Sequence, residues 1–534
     1  MSIPLSVPMW LAAALPIAAL LVLLLKFKWS AAKATVAGFG IAALVAVLFY
    51  RASVRQMVLE CLKGGWNAAS ILLVIVTAIA LYELMEESGA FSVLRCAIQR
   101  VTGHELLAVM LAGFVFPSFL QGITGFGVAV AVGAPLLVGI GVKPKWAVVL
   151  VLLCHSWGGS FGTLALAWQA LLTQSGVGAE VASHAAVYAG VFIWVVNLVG
   201  ALMLCWFYGG KKGLKAGLPA AALVSAIHGG GELLLAGSNA VVACFLPACA
   251  AFFAVFFLAK CTPYRRGWCC EESRIMERSA VGGEQPAGTL SLRQAIAPYV
   301  ILTVVTVLCL LVAPLRQLLS QWKIGFAFPE TATAYGYVTA AEPCFSPLTP
   351  LAHPGFFLAL TCLISYALFR KCGALAKGGL RNSMKRTVKK TVPSALAILG
   401  FILTSKVMGC SGEVIVLARG VASVLGKAYA LVTPFIGLLG SFMTSSNMAS
   451  NILFAKFQVT MAELVGISTA GALGAQTAGG AIGNAICPGN LVLGTSTVGL
   501  AGQEGDILKT VLPITVITAI MCGILNYLLV LIGA

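Results

Sequence analysis

Two polar clusters interrupt an otherwise apolar chain, and both have the composition of a site for a small anion. The first is Phe116 to Gly127, reading Phe-Pro-Ser-Phe-Leu-Gln-Gly-Ile-Thr-Gly-Phe-Gly, with His155-Ser156-Trp157-Gly158-Gly159-Ser160 further on. The second is Thr444-Ser445-Ser446-Asn447-Met448-Ala449-Ser450-Asn451, with Gln476-Thr477-Ala478-Gly479-Gly480 and Asn484 beyond it. Hydroxyls and amides are neutral donors, so they can hold a carboxylate without a buried counter-charge. Gly and Pro in the same stretches break the helical ladder, and at membrane depth such breaks are tolerated only inside protein or beside a wet cavity. The candidate substrate-binding set is therefore Gln121, Thr124, Gly125, His155, Ser156, Thr444, Ser446, Asn447, Asn451, Gln476, Thr477 and Asn484. Small polar residues also glue close-packed helices. For Ser118, Ser160 and Ser450 both readings stand, whereas the pair Asn447 and Asn451 favours binding.

Ionisable groups inside apolar runs are functional candidates by default. His155 precedes Gly158-Gly159 and is the candidate for substrate or proton handling. Lys456 follows the second cluster by five residues and either attracts an anion or sits at a wet helix end. Glu83 and Lys406 fall at helix ends, where snorkelling is the simpler account. No nucleophile, base and acid stand together, and Cys244, Cys249 and Cys269-Cys270 lack zinc-site spacing to a histidine. No enzyme activity, metal or cofactor is expected.

The elements that carry these clusters must be membrane spans. In 534 residues, 60% are hydrophobic and only 10% charged, and the mean hydropathy is +0.99, which excludes a soluble globular protein. Apolar runs of spanning length, roughly 20 residues, read as Pro8 to Leu25, Ala31 to Tyr50, Gly65 to Tyr82, Ala185 to Tyr208, Ala240 to Leu258, Ile296 to Leu315, Pro354 to Phe369, Ala395 to Val407 and Leu508 to Ile532. A shorter run ends at Ile227, and two broken regions cover Leu106 to Trp168 and Leu431 to Leu500. The first run lacks a basic leader and cleavage site, so it reads as a retained helix. Most of the sixteen cysteines lie in apolar runs, where Cys acts as a small hydrophobe.

The net charge of +17 is loop charge, scattered between spans with no domain to display it to nucleic acid. Arg370 to Lys390 carries eight basic residues and no acid, which places it in the cytoplasm. Lys260 to Arg293 has six basic residues against four Glu and belongs on the same side, whereas Gln317 to Pro354 belongs outside. Lys26, Lys28 and Lys33 put the first loop inside and the N-terminus outside.

Shifting the chain by 323 residues lays Ser88-Gly89 on Ser411-Gly412, Val93-Leu94 on Val416-Leu417, Gly103 on Gly426 and Ser118-Phe119 on Ser441-Phe442. With a two-residue deletion, His155 to Gly162 falls on Gln476 to Gly483. The charge pattern sends Gly65 to Tyr82 inward and Ala395 to Val407 outward, so the repeats are inverted. The expected fold class is an all-α polytopic membrane protein, an inverted-repeat secondary transporter with broken or re-entrant helices. Its expected divisions are 1–64, N-terminal helices; 65–175, first repeat; 176–390, connecting helices and loops; 391–500, inverted second repeat; and 501–534, a C-terminal helix.

On Phe119 to Gly127, Ala134 to Pro144, Thr444 to Asn451, Thr477 to Gly480, Cys487-Pro488 and Val498 to Asp506, the chain resembles the lactate permease family, which includes glycolate-transporting members. The resemblance spans nearly the full length. It implies a cytoplasmic-membrane permease for small 2-hydroxymonocarboxylates, driven by protons. The family pattern carries Glu where this chain has Gln121, Asp where it has Asn447, Lys where it has Asn484, and Asn-Thr where it has His155-Ser156 and Gln476-Thr477. Coupling could therefore pass through His155, use another ion or be absent. The expectation is a secondary active transporter of a small organic anion, most simply lactate or glycolate. An anion channel or uniporter, a carrier of a different small organic anion, and a membrane-embedded enzyme are the alternatives.

Overall fold

The chain was described as a computed structural model over residues 3–4, 6–27, 29–99, 101–125, 127–277, 290–376, 378–501 and 503–532. Lys28, Phe126, Lys377, Gly502 and the stretch 278–289, on which parts of the charge and motif readings rest, lie outside the described residues.

The first helices are α1 (Val7–Leu21), α2 (Ala31–Leu48), α3 (Val54–Glu87), α4 (Ala90–Gln99), α5 (Glu105–Met110), α6 (Phe116–Ile123), α7 (Val128–Gly139), α8 (Pro144–Ser156) and α9 (Gly162–Ser175). The middle of the chain forms α10 (Ala179–Ser225), α11 (Gly231–Ala243), α12 (Phe245–Leu258), α13 (Thr262–Arg265), α14 (Leu292–Leu311), α15 (Ala313–Leu319) and α16 (Pro354–Lys371). The rest is α17 (Gly379–Ser411), α18 (Glu413–Leu425), α19 (Tyr429–Thr444), α20 (Asn447–Val465), α21 (Thr469–Gly483), α22 (Pro488–Thr497) and α23 (Glu504–Leu531). Among the described residues, nine helices are long and apolar enough to cross a membrane, and α8 with α9 forms a further pair bent by 53°. The protein is an all-α polytopic membrane protein.

Helix starts follow local chemistry. Ser53 caps α3 by accepting from the Gln56 amide, and Ser291 and Gln294 form a reciprocal capping box on α14. α3 and α17 are 34 and 33 residues long, about 50 Å each at ~1.5 Å per residue. Both extend well past the apolar runs Gly65 to Tyr82 and Ala395 to Val407, because their polar ends pair with each other instead of breaking. Arg386 donates to Glu83 at 2.6 Å and to Glu87 at 2.5 Å, and Lys390 lies 2.5 Å from Glu83. At the other end Gln56 donates to the Cys410 carbonyl at 3.0 Å. The start of α3 thus meets the end of α17, so the two helices run antiparallel. Glu83, which reads from sequence as a snorkelling residue, is instead buried at 1% exposure and ion-paired.

The order of elements recurs. α3, α4, α5 with α6, α7, α8, α9 and α10 are followed in the second half by α17 to α23 in the same succession of long helix, short helix, broken hairpin and closing span. Left-handed glycines fall at matching turns: Gly89 (φ 74°) with Gly412 (φ 92°), and Gly176 (φ 69°) with Gly499 (φ 75°). With α3 antiparallel to α17, the two halves are an inverted repeat.

The segment expected outside forms two small antiparallel pairs, β1 (Ile324–Phe328) with β4 (Glu342–Leu348) and β2 (Thr331–Ala332) with β3 (Val338–Thr339). It packs on α3: Trp66 donates to the Ser346 carbonyl at 3.0 Å, and buried Lys63 pairs with Glu60 at 2.8 Å and Glu342 at 3.1 Å. All sixteen cysteines are free thiols.

Candidate functional site

Four helices begin at one cavity. It encloses ≈ 460 Å³ and is lined by Gly127 at the head of α7, Gly162 and Thr163 at the head of α9, Ser446 to Ala449 at the head of α20, and Gly489 and Asn490 at the head of α22. In the inverted repeat, α7 corresponds to α20 and α9 to α22, so each half supplies the same two helix ends. A helix N-terminus presents unpaired N–H groups and the positive end of its dipole, and four converging on one space favour an anion.

Each start has a local cause. Gly127 is left-handed (φ 79°) ahead of α7. Ser445, also left-handed (φ 56°), ends α19, and its Oγ accepts from the Gly489 amide at 3.1 Å. Ser446 then caps α20 by accepting from the Ala449 amide at 3.3 Å, and Pro488 opens α22. α9 opens with a left-handed turn at Thr163, Leu164 and Ala165 (φ 50°, 54° and 62°), and its right-handed helix follows from Leu166, which with Ala167 also lines the cavity. Left-handed geometry costs a non-glycine residue about 1–2 kcal/mol, and strain of this kind persists where surrounding structure enforces it, often at ligand sites.

Of the sequence-derived candidates, Gln121, His155, Thr444, Ser446, Asn447 and Asn484 line this cavity. Asn447 joins the two halves through its side chain, which donates to the Gly159 carbonyl at 3.1 Å, while its backbone amide donates within its own half to Asn484 Oδ1 at 3.1 Å. Asn447 Oδ1 is buried and unpartnered. It packs so close to Gly480 that a Cβ there would come within 2.0 Å of it.

His155 Nδ1 lies 2.9 Å from the Val151 carbonyl and 3.1 Å from that of Leu152. Carbonyls only accept, so Nδ1 carries a proton and the neutral ring offers Nε2 as an acceptor toward Asn490, 3.5 Å away. No Asp, Glu, Lys or Arg lines the cavity, and His155 is its one titratable side chain among the described residues.

The remaining candidates lie behind the wall. Asn451 donates to the Ala167 carbonyl and to Thr477 Oγ1, both at 3.0 Å, and Thr477 Oγ1 donates to Ser160 Oγ at 3.0 Å. Gln476 donates to Ser450 at 3.2 Å and accepts from Gln458 at 2.7 Å. This network clamps α21 and α20 to the α8–α9 break. Thr124 bonds back to the Leu120 carbonyl at 2.9 Å. Gly125 backs onto Thr163, whose Oγ1 would lie 2.0 Å from an added Cβ. Ser156 bonds to the Leu153 carbonyl at 2.7 Å and faces a separate small apolar pocket. Lys456 is half-buried and not in the lining, and Lys406 lies 5.0 Å from the Phe345 ring centre.

Ser445, part of the second polar cluster, also lines the cavity, and Thr163, Gly489 and Asn490 do so without having been singled out from the sequence. For Gly489 and Asn490 the Cys487-Pro488 dipeptide was the available signal, since Pro after a break marks a helix start.

A family model described as L-lactate permease matches residues 9–533. The chain belongs to the L-lactate permease family. It is 28% identical to the glycolate permease of Escherichia coli (strain K12), over 87% of this chain and 85% of that one. It is 27% identical to the L-lactate permease of the same strain, over 97% and 95%, and 26% identical to that of Halalkalibacterium halodurans, over 97% and 96%. Among solved structures, the Alcanivorax borkumensis YdaH transporter is similar at a TM-score of 0.49, with 16% identity over 88% of each chain. As a member of the L-lactate permease family the protein is a multi-pass membrane transporter of small organic anions.

Proposed function

We propose that the protein is a secondary active permease for small 2-hydroxymonocarboxylates of the lactate and glycolate class, working in the cytoplasmic membrane with its N-terminus outside. The observation that carries this reading is the cavity where four helix N-termini, two from each inverted half, meet neutral amides and hydroxyls. A carboxylate would take N–H groups from the heads of α9 and α20, with Asn447 and Asn484 as side-chain donors. The 2-hydroxyl would donate to His155 Nε2, the one neutral ring acceptor in the lining. Protonation of that nitrogen would turn it into a donor for the carboxylate, which links uptake to the proton. The divisions at 65–175 and 391–500 then act as the two repeats that hand the site from one side to the other.

Uptake of labelled lactate and glycolate into proteoliposomes, with and without an inward proton gradient, tests this reading. Gradient-driven accumulation supports it. Absence of uptake of both acids by folded protein removes the substrate class. One feature favours a second reading: with no charged side chain in its lining, the cavity also suits a uniporter or anion channel. Saturable exchange in vesicles excludes the channel, whereas unsaturated conductance establishes it.

A further inference from the structure

Behind Gln121, which lines the cavity, lies a second polar group, none of whose residues is in the lining. His228, in the π-helical turn Ala226–Gly230 between α10 and α11, meets Glu232 at the start of α11 and Cys244 just before α12. One donor atom from each, the imidazole nitrogen, a carboxylate oxygen and the thiol sulfur, lies within 4.8 Å of the others. The three residues are 1%, 0% and 0% exposed. His228 Nε2 and both Glu232 oxygens have no hydrogen-bond partner. Unpartnered polar atoms so deeply buried call for a bound species, and a buried carboxylate in an apolar interior calls for a positive charge.

We propose that His228, Glu232 and Cys244 bind a structural divalent transition-metal ion of the zinc class. The donor set is one nitrogen, one sulfur and one oxygen, the mixture that suits Zn²⁺. Charge also balances. On binding, Cys244 gives its thiol proton and Glu232 its carboxyl proton to solvent, and the thiolate with the carboxylate offsets the two positive charges.

Asn197 supports the histidine from behind. Asn197 Nδ2 sits 3.0 Å from His228 Nδ1, while Asn197 Oδ1 is buried without a partner. Turning that amide over lets Oδ1 accept from an Nδ1–H and frees Nε2 as a ligand, the outer-shell bond that orients metal-bound histidines. Ser225, one turn before His228, also has a buried, unpartnered hydroxyl.

The ion would staple a weak part of the fold. α11 lies between a π-helical turn and Cys244, and Asn239 within it is non-helical (φ −153°, ψ 83°). The staple bears on the binding cavity. A Cβ at Gly158 would stand 3.3 Å from Cys244 Sγ and 3.1 Å from Gln121 Cγ, and one at Gly122 would stand 3.1 Å from Phe245 Cα.

The test is elemental analysis of full-length protein purified without chelator, then loaded with Zn²⁺ or Co²⁺, beside Glu232→Gln, His228→Gln and Cys244→Ser. The expected result is about one metal per chain, a thiolate-to-cobalt absorption band that Cys244→Ser abolishes, and a melting temperature raised by Zn²⁺ in the wild type alone. If a variant fails to fold, the wild-type stoichiometry and cobalt spectrum still decide. Folded wild-type protein that takes up neither ion overturns the proposal. So does metal retained equally by all three variants, which marks an adventitious ion. A protonated-carboxyl infrared band that Glu232→Gln removes and that persists in wild type after addition of Zn²⁺ would assign the site to a proton instead.

Discussion

Asn447 carries one bond across the interface of the halves, to the Gly159 carbonyl, and a second within its own half, to Asn484, and still leaves Oδ1 buried without a partner against Gly480. Asn447→Ala should lower uptake at least tenfold, about 1.4 kcal/mol, with the protein eluting and melting as a folded species. Near-normal transport would remove this residue from the site. His155 is fixed as the Nδ1–H form by two carbonyls, so only Nε2 can take up a proton during transport. His155→Gln keeps a neutral amide in place of the ring, and uptake should persist while its dependence on pH between about 5 and 8 flattens. An unchanged profile would exclude His155 as the proton carrier. Chemical type was legible at both positions, because an amide pair and a lone histidine in apolar runs stand out in sequence. Which candidates face the cavity was not: Gln476 and Thr477 have the same composition as Asn484, yet their side chains are committed to Ser450 and Ser160.

Among the elements, the turn into α16 couples stability to pH. His353 caps α16 by accepting from the Gly355 amide at Nδ1, at 3.3 Å, and its Nε2 lies 3.1 Å from Ser70 Oγ on α3. Burial pushes its pKa down to about 4, below the ordinary imidazole value of about 6.5. A group with a depressed pKa supplies stability that is fully present above the unfolded value and lost as pH falls toward the folded one. Thermal stability should therefore decline from about pH 6.5 to about pH 4, and His353→Gln should shrink that decline. Equal acid sensitivity in the variant would show that other groups set it. α3 and α17 make the matching point about legibility. Hydropathy marks only their apolar middles, whereas their lengths depend on Arg386 and Lys390 finding Glu83 and Glu87 on a helix 300 residues away.

At the scale of the whole molecule, the inverted repeat explains why one cavity has paired helix ends, since a break repeated in antiparallel halves brings like termini together. The proposed orientation sets two exposed native cysteines on opposite sides, Cys344 outside and Cys269 in the cytoplasm. A membrane-impermeant maleimide applied to intact cells should label Cys344 and spare Cys269, with Cys344→Ser and Cys269→Ser assigning the signal. Labelling of Cys269 alone would invert the topology.

The sequence by itself determined that the chain is a membrane protein, where its helices break and that it is duplicated, because hydropathy, Gly and Pro placement and repeat offset are local or periodic properties. Tertiary structure decided which polar residues share a space. Partners 288 residues apart, such as Asn447 and Gly159, meet only when the halves pack. The same packing set Cys244 against His228 and Glu232, which stand four residues apart on one helical run.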